Sequence, residues 1–263
     1  MPDTTTTKMS LTALRLHIQA IEGLSLFPGE VMSLGPVAID QALPWGGLPL
    51  ACLHYVIGDD RILGSMGFSP PSVVFAAAVM MRLKDRGTLV WCVPRYKPAD
   101  TLYVPSLAMM GLEERDLILV RVRDETEVLW AMEEALGCGD VSAVAGSLTT
   151  APGFAVERRL QFAAERGGTS GFLLQPGPDV ASSTAAVTRW RLGALPSAPT
   201  DWAGIGLPRW SLTLDRCRQG NTHSWIVEWC DETRDLRLAA PPSHGSVDPV
   251  SVERKASALC AVA

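Results

Sequence analysis

Residues 34–58 read LGPVAIDQALPWGGLPLACLHYVIG and are followed by DDRILGSMGFSPP over 59–71. An amphipathic segment and the turn Gly46-Gly47-Leu48-Pro49 lead into LACLHYVI (50–57), which stops at Gly58. A continuous, mostly apolar run of this length suits a strand buried on both faces, as in a parallel sheet. Beyond the gap, Ser69-Pro70-Pro71 opens SVVFAAAVMMRLKDRG. Serine as N-cap, proline at the first helical position and Gly87 as the stop predict a helix of about four turns.

The same alternation continues downstream. TLVWCVP (88–94) is a second strand, SLAMMGL a short helix and DLILVRV (116–122) a third strand. DETEVLWAMEEALG (124–137) begins with acids and ends at glycine, as a helix does. VSAVAGSL (141–148), AVERRLQFAAERGG (155–168) and TSGFLLQ (169–175) read as strand, helix and strand. Strands separated by helices mean βαβ units, so the expected class is α/β, a mostly parallel sheet flanked by helices. VTRWRLG, PRWSLTLDRC, HSWIVEWC and DLRLA, separated by turn-rich pieces such as RQGNT, predict a C-terminal antiparallel meander that continues the sheet.

These elements divide the chain into a disordered tail (1–9), a helix-and-linker arm (10–37), a core domain (38–240) and a flexible tail (241–263). With 263 residues, 47% of them hydrophobic, the chain can bury a substantial core. No apolar run reaches transmembrane length, and MPDTTTTKMS lacks a signal-peptide core, so a soluble, cytoplasmic protein is expected. Six scattered cysteines form no Cys-x-x-Cys pair and indicate neither a zinc site nor a redox motif. His17, His54, His223 and His244 are not spaced with Cys or acids as metal ligands, and no Gly-x-Ser-x-Gly elbow occurs. No metal, cofactor or catalytic set is expected.

The gap after Gly58 lacks what a phosphate loop requires: backbone N–H groups aimed at the anion, a helix N-terminus behind it and a lysine for the outer phosphates. No lysine follows Gly58 until Lys84, and Asp59 and Asp60 repel a polyphosphate. The Gly58-to-Gly64 spacing is one residue too long, and Ser65 alone does not hold magnesium. Pro70 and Pro71 remove two donors from the helix start. Gly64 and Gly67 leave a second nest open for weak nucleotide binding.

The segment 34–58 is similar to the stretch of RecA-type recombinases in which Gly-Gly-Leu-Pro feeds the strand before the phosphate loop. LYVPSLAMMGLEERDLILVR, the helix after it and VSAVAGSL keep the RecA order. Over residues 11–240 the chain more closely resembles the ImuA family, RecA-like accessory proteins of bacterial mutagenesis cassettes. The residues that carry this are LRLHIQAIEG, ALPWGGLPL, the LILVR–VLWAMEEAL pair, STAAVTRW and PRW. Where RecA-type enzymes place a water-activating glutamate after the second strand, this chain has Pro94-Arg95. Where an acid orients the metal after the fourth, it has Gly146-Ser147. The resemblance therefore implies a RecA-like core that does not hydrolyse ATP, and a lysine restored near Gly64 is not expected to revive turnover. It implies action in SOS mutagenesis and translesion synthesis. The implied partners are an ImuB-like inactive Y-family polymerase homologue, an error-prone polymerase complex, RecA and DNA, with a homo-oligomer also in view. A SulA-like division inhibitor and a divergent RecA-type ATPase are the competing readings.

What remains is surface. Leu11, Leu14, Ile18 and Ile21 form an i, i+3, i+7 stripe on a predicted helix over 10–22, which needs either the chain's own core or another protomer. Net charge is −5, but residues 11–150 hold 16 acids and 10 bases while residues 151–218 hold 5 acids and 8 arginines. Arg158, Arg159, Arg189, Trp190, Arg191, Arg209, Arg216 and Arg218 are the candidate DNA or partner contacts. The plainer alternatives are a solvated arginine surface and strand tryptophans (Trp210, Trp225, Trp229) that fill the core.

Overall fold

The computed structural model describes residues 29–59, 69–95, 102, 104–177, 184–198 and 204–239. The predicted tails, the helix over 10–22 and most of the gap after Gly58 lie outside these residues. A short ribbon pairs β1 (Val31–Met32) with β2 (Leu48–Pro49), bracketing helix α1 (Val37–Ala42). Leu34 is buried with the main core, so the core begins before residue 38.

The main sheet has nine strands. β3 (Leu53–Gly58) is followed by α2 (Pro70–Met81) and β4 (Thr88–Pro94). α3 (Val104–Met110), β5 (Leu117–Val122), α4 (Glu125–Leu136), β6 (Val141–Ser147), α5 (Phe154–Gly167) and β7 (Ser170–Pro176) come next. β8 (Thr188–Leu195), β9 (Arg209–Cys217), β10 (His223–Cys230) and β11 (Asp235–Leu238) complete it. The spatial order is β11-β10-β9-β8-β3-β7-β6-β4-β5. β3 to β7 are mutually parallel and β9 to β11 antiparallel. The predicted strand 50–57 starts three residues later in the structure because Pro49 and Leu50 close the ribbon beside it. The meander also begins one strand later than the sequence suggests. Thr188–Leu195 runs parallel to β3 and antiparallel to β9, which makes it the strand where the sheet changes sense.

Two apolar clusters sandwich the sheet. α1, α2 and α3 cover one face with Ile39, Phe75, Val79 and Leu107, against Val56, Trp91, Phe172, Trp190 and Leu212. α4 and α5 cover the other with Val128, Met132, Leu136, Leu160 and Ala164, against Tyr55, Val90, Val144 and Leu173. α4 starts where the Asp124 carboxylate accepts from the Glu127 N–H, with Glu125 and Glu127 in the first turn favourably placed against the helix dipole.

β3 is fixed by a polar chain through the core. The Pro49 carbonyl can only accept, so His54 Nε2 carries the proton and donates to it at 3.0 Å. His54 Nδ1 then accepts from the Thr188 hydroxyl at 2.8 Å, and Thr188 Oγ1 accepts from Trp190 Nε1 at 2.9 Å. Burial lowers the His54 pKa to about 4, against a smaller upward pull from the Pro49 carbonyl. The unfolded chain binds that proton near pH 6.5, so the neutral ring's contribution is intact above about pH 6.5. It is lost as pH falls toward 4, by up to about 3 kcal/mol. Urea unfolding at several pH values checks this. The difference between the parent and His54→Gln should narrow across that window.

Candidate functional site

In open α/β sheets, ligands sit beyond the carboxyl ends of the parallel strands, near the point where strand order reverses. Here that region is the rim formed by Gly58-Asp59, Pro94-Arg95, Ser147-Leu148 and Pro176-Gly177 around β3. Backbone hydrogen bonds tie the described residues of the rim together. Asp59 N–H donates to Leu192 O (2.6 Å), Gly177 N–H to Gly58 O (3.0 Å), Leu148 N–H to Leu174 O (2.9 Å) and Arg95 N–H to Val122 O (2.9 Å).

The chain returns from the gap directly beside its departure point. A Cβ built on Gly58 would stand 2.1 Å from the Ser69 Cβ, so only glycine allows α2 to start against the end of β3. Gly58→Ala is therefore expected to cost about 1–3 kcal/mol through overpacking, read as a lowered urea midpoint with unchanged m-value.

The start of α2 is poor in anion donors. Pro70 and Pro71 carry no N–H, and the next two, from Ser72 and Val73, both donate to the Ser69 carbonyl (3.0 and 3.1 Å). The Ser72 hydroxyl donates to the same oxygen (2.7 Å). Of the four N–H positions that open this helix, at Ser69, Pro70, Pro71 and Ser72, the prolines remove two and the Ser69 carbonyl engages that of Ser72.

The two positions compared above with RecA-type acids, after β4 and after β6, hold other residues. Gly146 lets α4 approach the sheet, since a Cβ there would meet Met132 Sδ at 2.0 Å. The Ser147 hydroxyl is buried and accepts from Trp91 Nε1 at 3.2 Å. Glu125, an acid at this rim, clamps the turn after β6 by accepting from Thr149 N–H (2.8 Å), the Thr149 hydroxyl and Thr150 N–H (3.4 Å). Pro94 ends a buried strand and Arg95 is exposed. Among the described residues no cluster of three His, Cys, Asp or Glu side chains forms a metal site. His54 is interior and His223 stacks on Trp225 (5.7 Å), while His17 and His244 lie outside the described residues.

The structure does not bring the candidate tryptophans and arginines onto one surface. Alternation along β8 and β9 sends Trp190 and Trp210 to the α2 face and Arg189, Arg191 and Arg209 to the opposite one. Trp190 is 1% exposed and packs on Phe75 and Trp225 with ring centroids 5.6 and 6.3 Å away. Trp210 and Trp229 are also buried and Trp225 half-buried, in agreement with the core alternative. Trp202 lies outside the described residues. Arg189 is buried over the Tyr55 ring, 3.9 Å from the Asp215 carboxylate, and burial lowers its pKa. Arg191 pairs with Asp215 (3.3 Å) and Arg209 with Glu228 (2.5 Å). Arg218 donates to Ala185 O (2.8 Å), Arg159 pairs with Glu133, and Arg158 lies over Phe162 at 5.4 Å. Arg216 is exposed and faces Arg189 across the β8–β9 pair. Leu11, Leu14, Ile18 and Ile21 lie outside the described residues.

A buried polar node escaped the sequence reading. Glu157, on the first turn of α5 and 1% exposed, accepts from the Tyr55 hydroxyl (2.9 Å), the Thr184 hydroxyl (2.6 Å) and Ala185 N–H (2.7 Å). Thr184 Oγ1 in turn accepts from Ala186 N–H (3.1 Å). Residues 184–190 are thus a lock. Thr184 and Ala185 hold Glu157, Thr188 joins His54 to Trp190, Arg189 meets Tyr55 and Asp215, and Trp190 fills the core. The one sequence signal for it was an acid at a core-facing helix position.

An α/β protein with a large, mostly parallel sheet flanked by helices and extended by a C-terminal antiparallel meander is the class that the fold defines. No family model matches the chain. Two curated relatives, both called Protein ImuA, from Caulobacter vibrioides strains NA1000 / CB15N and ATCC 19089 / CIP 103742 / CB 15, are each 37% identical over 213 residues. The match covers 76% of this chain and 84% of each relative. The chain belongs to the ImuA family. Among the described residues no helix is long and apolar enough to cross a membrane.

Proposed function

We propose that this chain is an accessory protein of the ImuA–ImuB mutagenesis system. It assembles or positions error-prone translesion machinery by holding protein partners, without ATP turnover. Family membership supports the pathway. The observation that carries the mechanism is the start of α2, where two prolines remove N–H donors and the Ser69 carbonyl engages that of Ser72. Gly146 and the Ser147–Trp91 bond support it, because both positions are engaged in packing α4 and β4 against β6. The partner of this reading is an ImuB-like inactive Y-family polymerase homologue, together with an error-prone polymerase. Co-expression and affinity purification test it. The ImuB-like protein should be retained stoichiometrically. Its absence, with stable retention of a division protein instead, would favour a SulA-like role.

Direct DNA contact has its own test. Arg191 and Arg209 are held by Asp215 and Glu228, so they serve the meander more than a phosphate tract. Replacing both with Gln is expected to lower stability by about 1–2 kcal/mol, leaving the salt dependence of any DNA binding unchanged. A salt slope smaller by about two would return these arginines to the DNA interface.

A further inference from the structure

The described chain begins at Gly29, and its first contacts fix where the preceding arm departs. Glu30 pairs with Arg86 at 2.6 Å, and its carbonyl accepts from Leu50 N–H at 2.8 Å. Arg86 closes the turn (Lys84–Arg86) that leads into β4, and Lys84 of that turn reaches Asp116, the residue before β5, at 4.0 Å. The arm therefore leaves the core at the amino-terminal ends of β4 and β5.

β5 is the outermost strand on this side. It pairs with β4 and, among the described residues, with nothing beyond. An apolar groove of about 450 Å³ lies between it and α3, lined chiefly by Leu107, Ala108, Leu112, Leu117 and Leu119. Met109 is 83% and Ile118 54% exposed on the same two elements. The carboxylate on the groove's rim, Glu113, is engaged by Arg115 at 2.8 Å. A groove of this kind takes aliphatic side chains, and an apolar outer strand left uncovered invites pairing with other chains.

We infer that the groove seats the chain's own N-terminal segment, with Leu11, Leu14, Ile18 and Ile21 laid against Ala108, Leu117 and Leu119, over a floor of buried Leu107 and Leu112. The stripe and the groove have matching chemistry, each presenting a row of aliphatic side chains. The tether permits it. Residues 23–29 span up to about 25 Å when extended at roughly 3.5 Å each, from an anchor at the same end of the sheet as the groove. The intramolecular seat covers the outer edge and leaves the opposite end of the sheet, at β11, for partners.

The test uses the full chain with Cys138, the exposed cysteine among the described residues, replaced by Ser. In an Ala108→Cys variant, maleimide labelling at position 108 is followed by mass spectrometry. Adding Leu14→Asp and Ile18→Asp should raise the labelling rate at least tenfold. Separately, an Ile18→Cys/Ala108→Cys double variant should oxidise to a disulfide within one chain, migrating as a monomer. An unchanged labelling rate overturns the inference. So does a link that forms only between chains, shown by mixing the two single variants, because the groove would then seat a second copy's arm.

Discussion

Trp190→Ala should lower the unfolding free energy by about 3–5 kcal/mol, a large share of the roughly 5–15 kcal/mol that holds an ordinary domain. The indole is 1% exposed and sits on β8, where the sheet turns from parallel to antiparallel. It touches Phe75 of α2 and Trp225 of β10, so its removal opens a cavity walled by three elements that cannot all collapse inward. Its Nε1–H also terminates the Thr188–His54–Pro49 chain, which would lose a donor at one end. Trp190→Phe keeps most of the volume and loses the donor, so it should cost about 1–3 kcal/mol. Urea unfolding followed by far-ultraviolet circular dichroism reads both. If Trp190 were instead a surface contact, both variants would unfold with the parent.

Glu157→Ala should cost about 3–5 kcal/mol by a different route. The carboxyl group satisfies two hydroxyls and one backbone N–H that have no water to turn to. Removing it leaves those donors buried without acceptors, and each such group costs about 1–3 kcal/mol. The loss should be local as well as global. Residues 184–187 enter β8 through this node, and Arg218 holds the same stretch through Ala185 O and Val187 O. Amide exchange at Ala185 and Ala186 should accelerate before that of β3 or β7. A Glu157→Ala/Tyr55→Phe double variant should be less destabilised than the sum of the single ones, since Tyr55→Phe removes one stranded donor.

The parallel half of the sheet was legible because its strands are continuous apolar runs and its helices carry their own start and stop residues. Thr88–Pro94 and Glu125–Leu136 fall where their flanking glycine and acids place them. β8 was harder. Thr-Arg-Trp-Arg reads as a half-exposed meander strand, and only Asp215 and the Tyr55 ring, distant in sequence, explain how Arg189 is buried there. For the same reason the arginine-rich stretch suggested a surface. Its acidic partners arrive from β9 and β10, and local sequence does not show cross-strand pairing. At the rim, the sequence revealed the missing lysine and acids. It did not reveal that Ser147 bonds Trp91 or that Gly58 gives way to Ser69, because both depend on tertiary contact.

ATP turnover by the purified full chain, with and without single-stranded DNA, tests the central claim most directly. The start of α2 predicts no phosphate release above the enzyme-free background in either condition, with or without the ImuB-like partner. DNA-stimulated release that copurifies with the chain and is abolished by altering Asp59–Ser65 would contradict it.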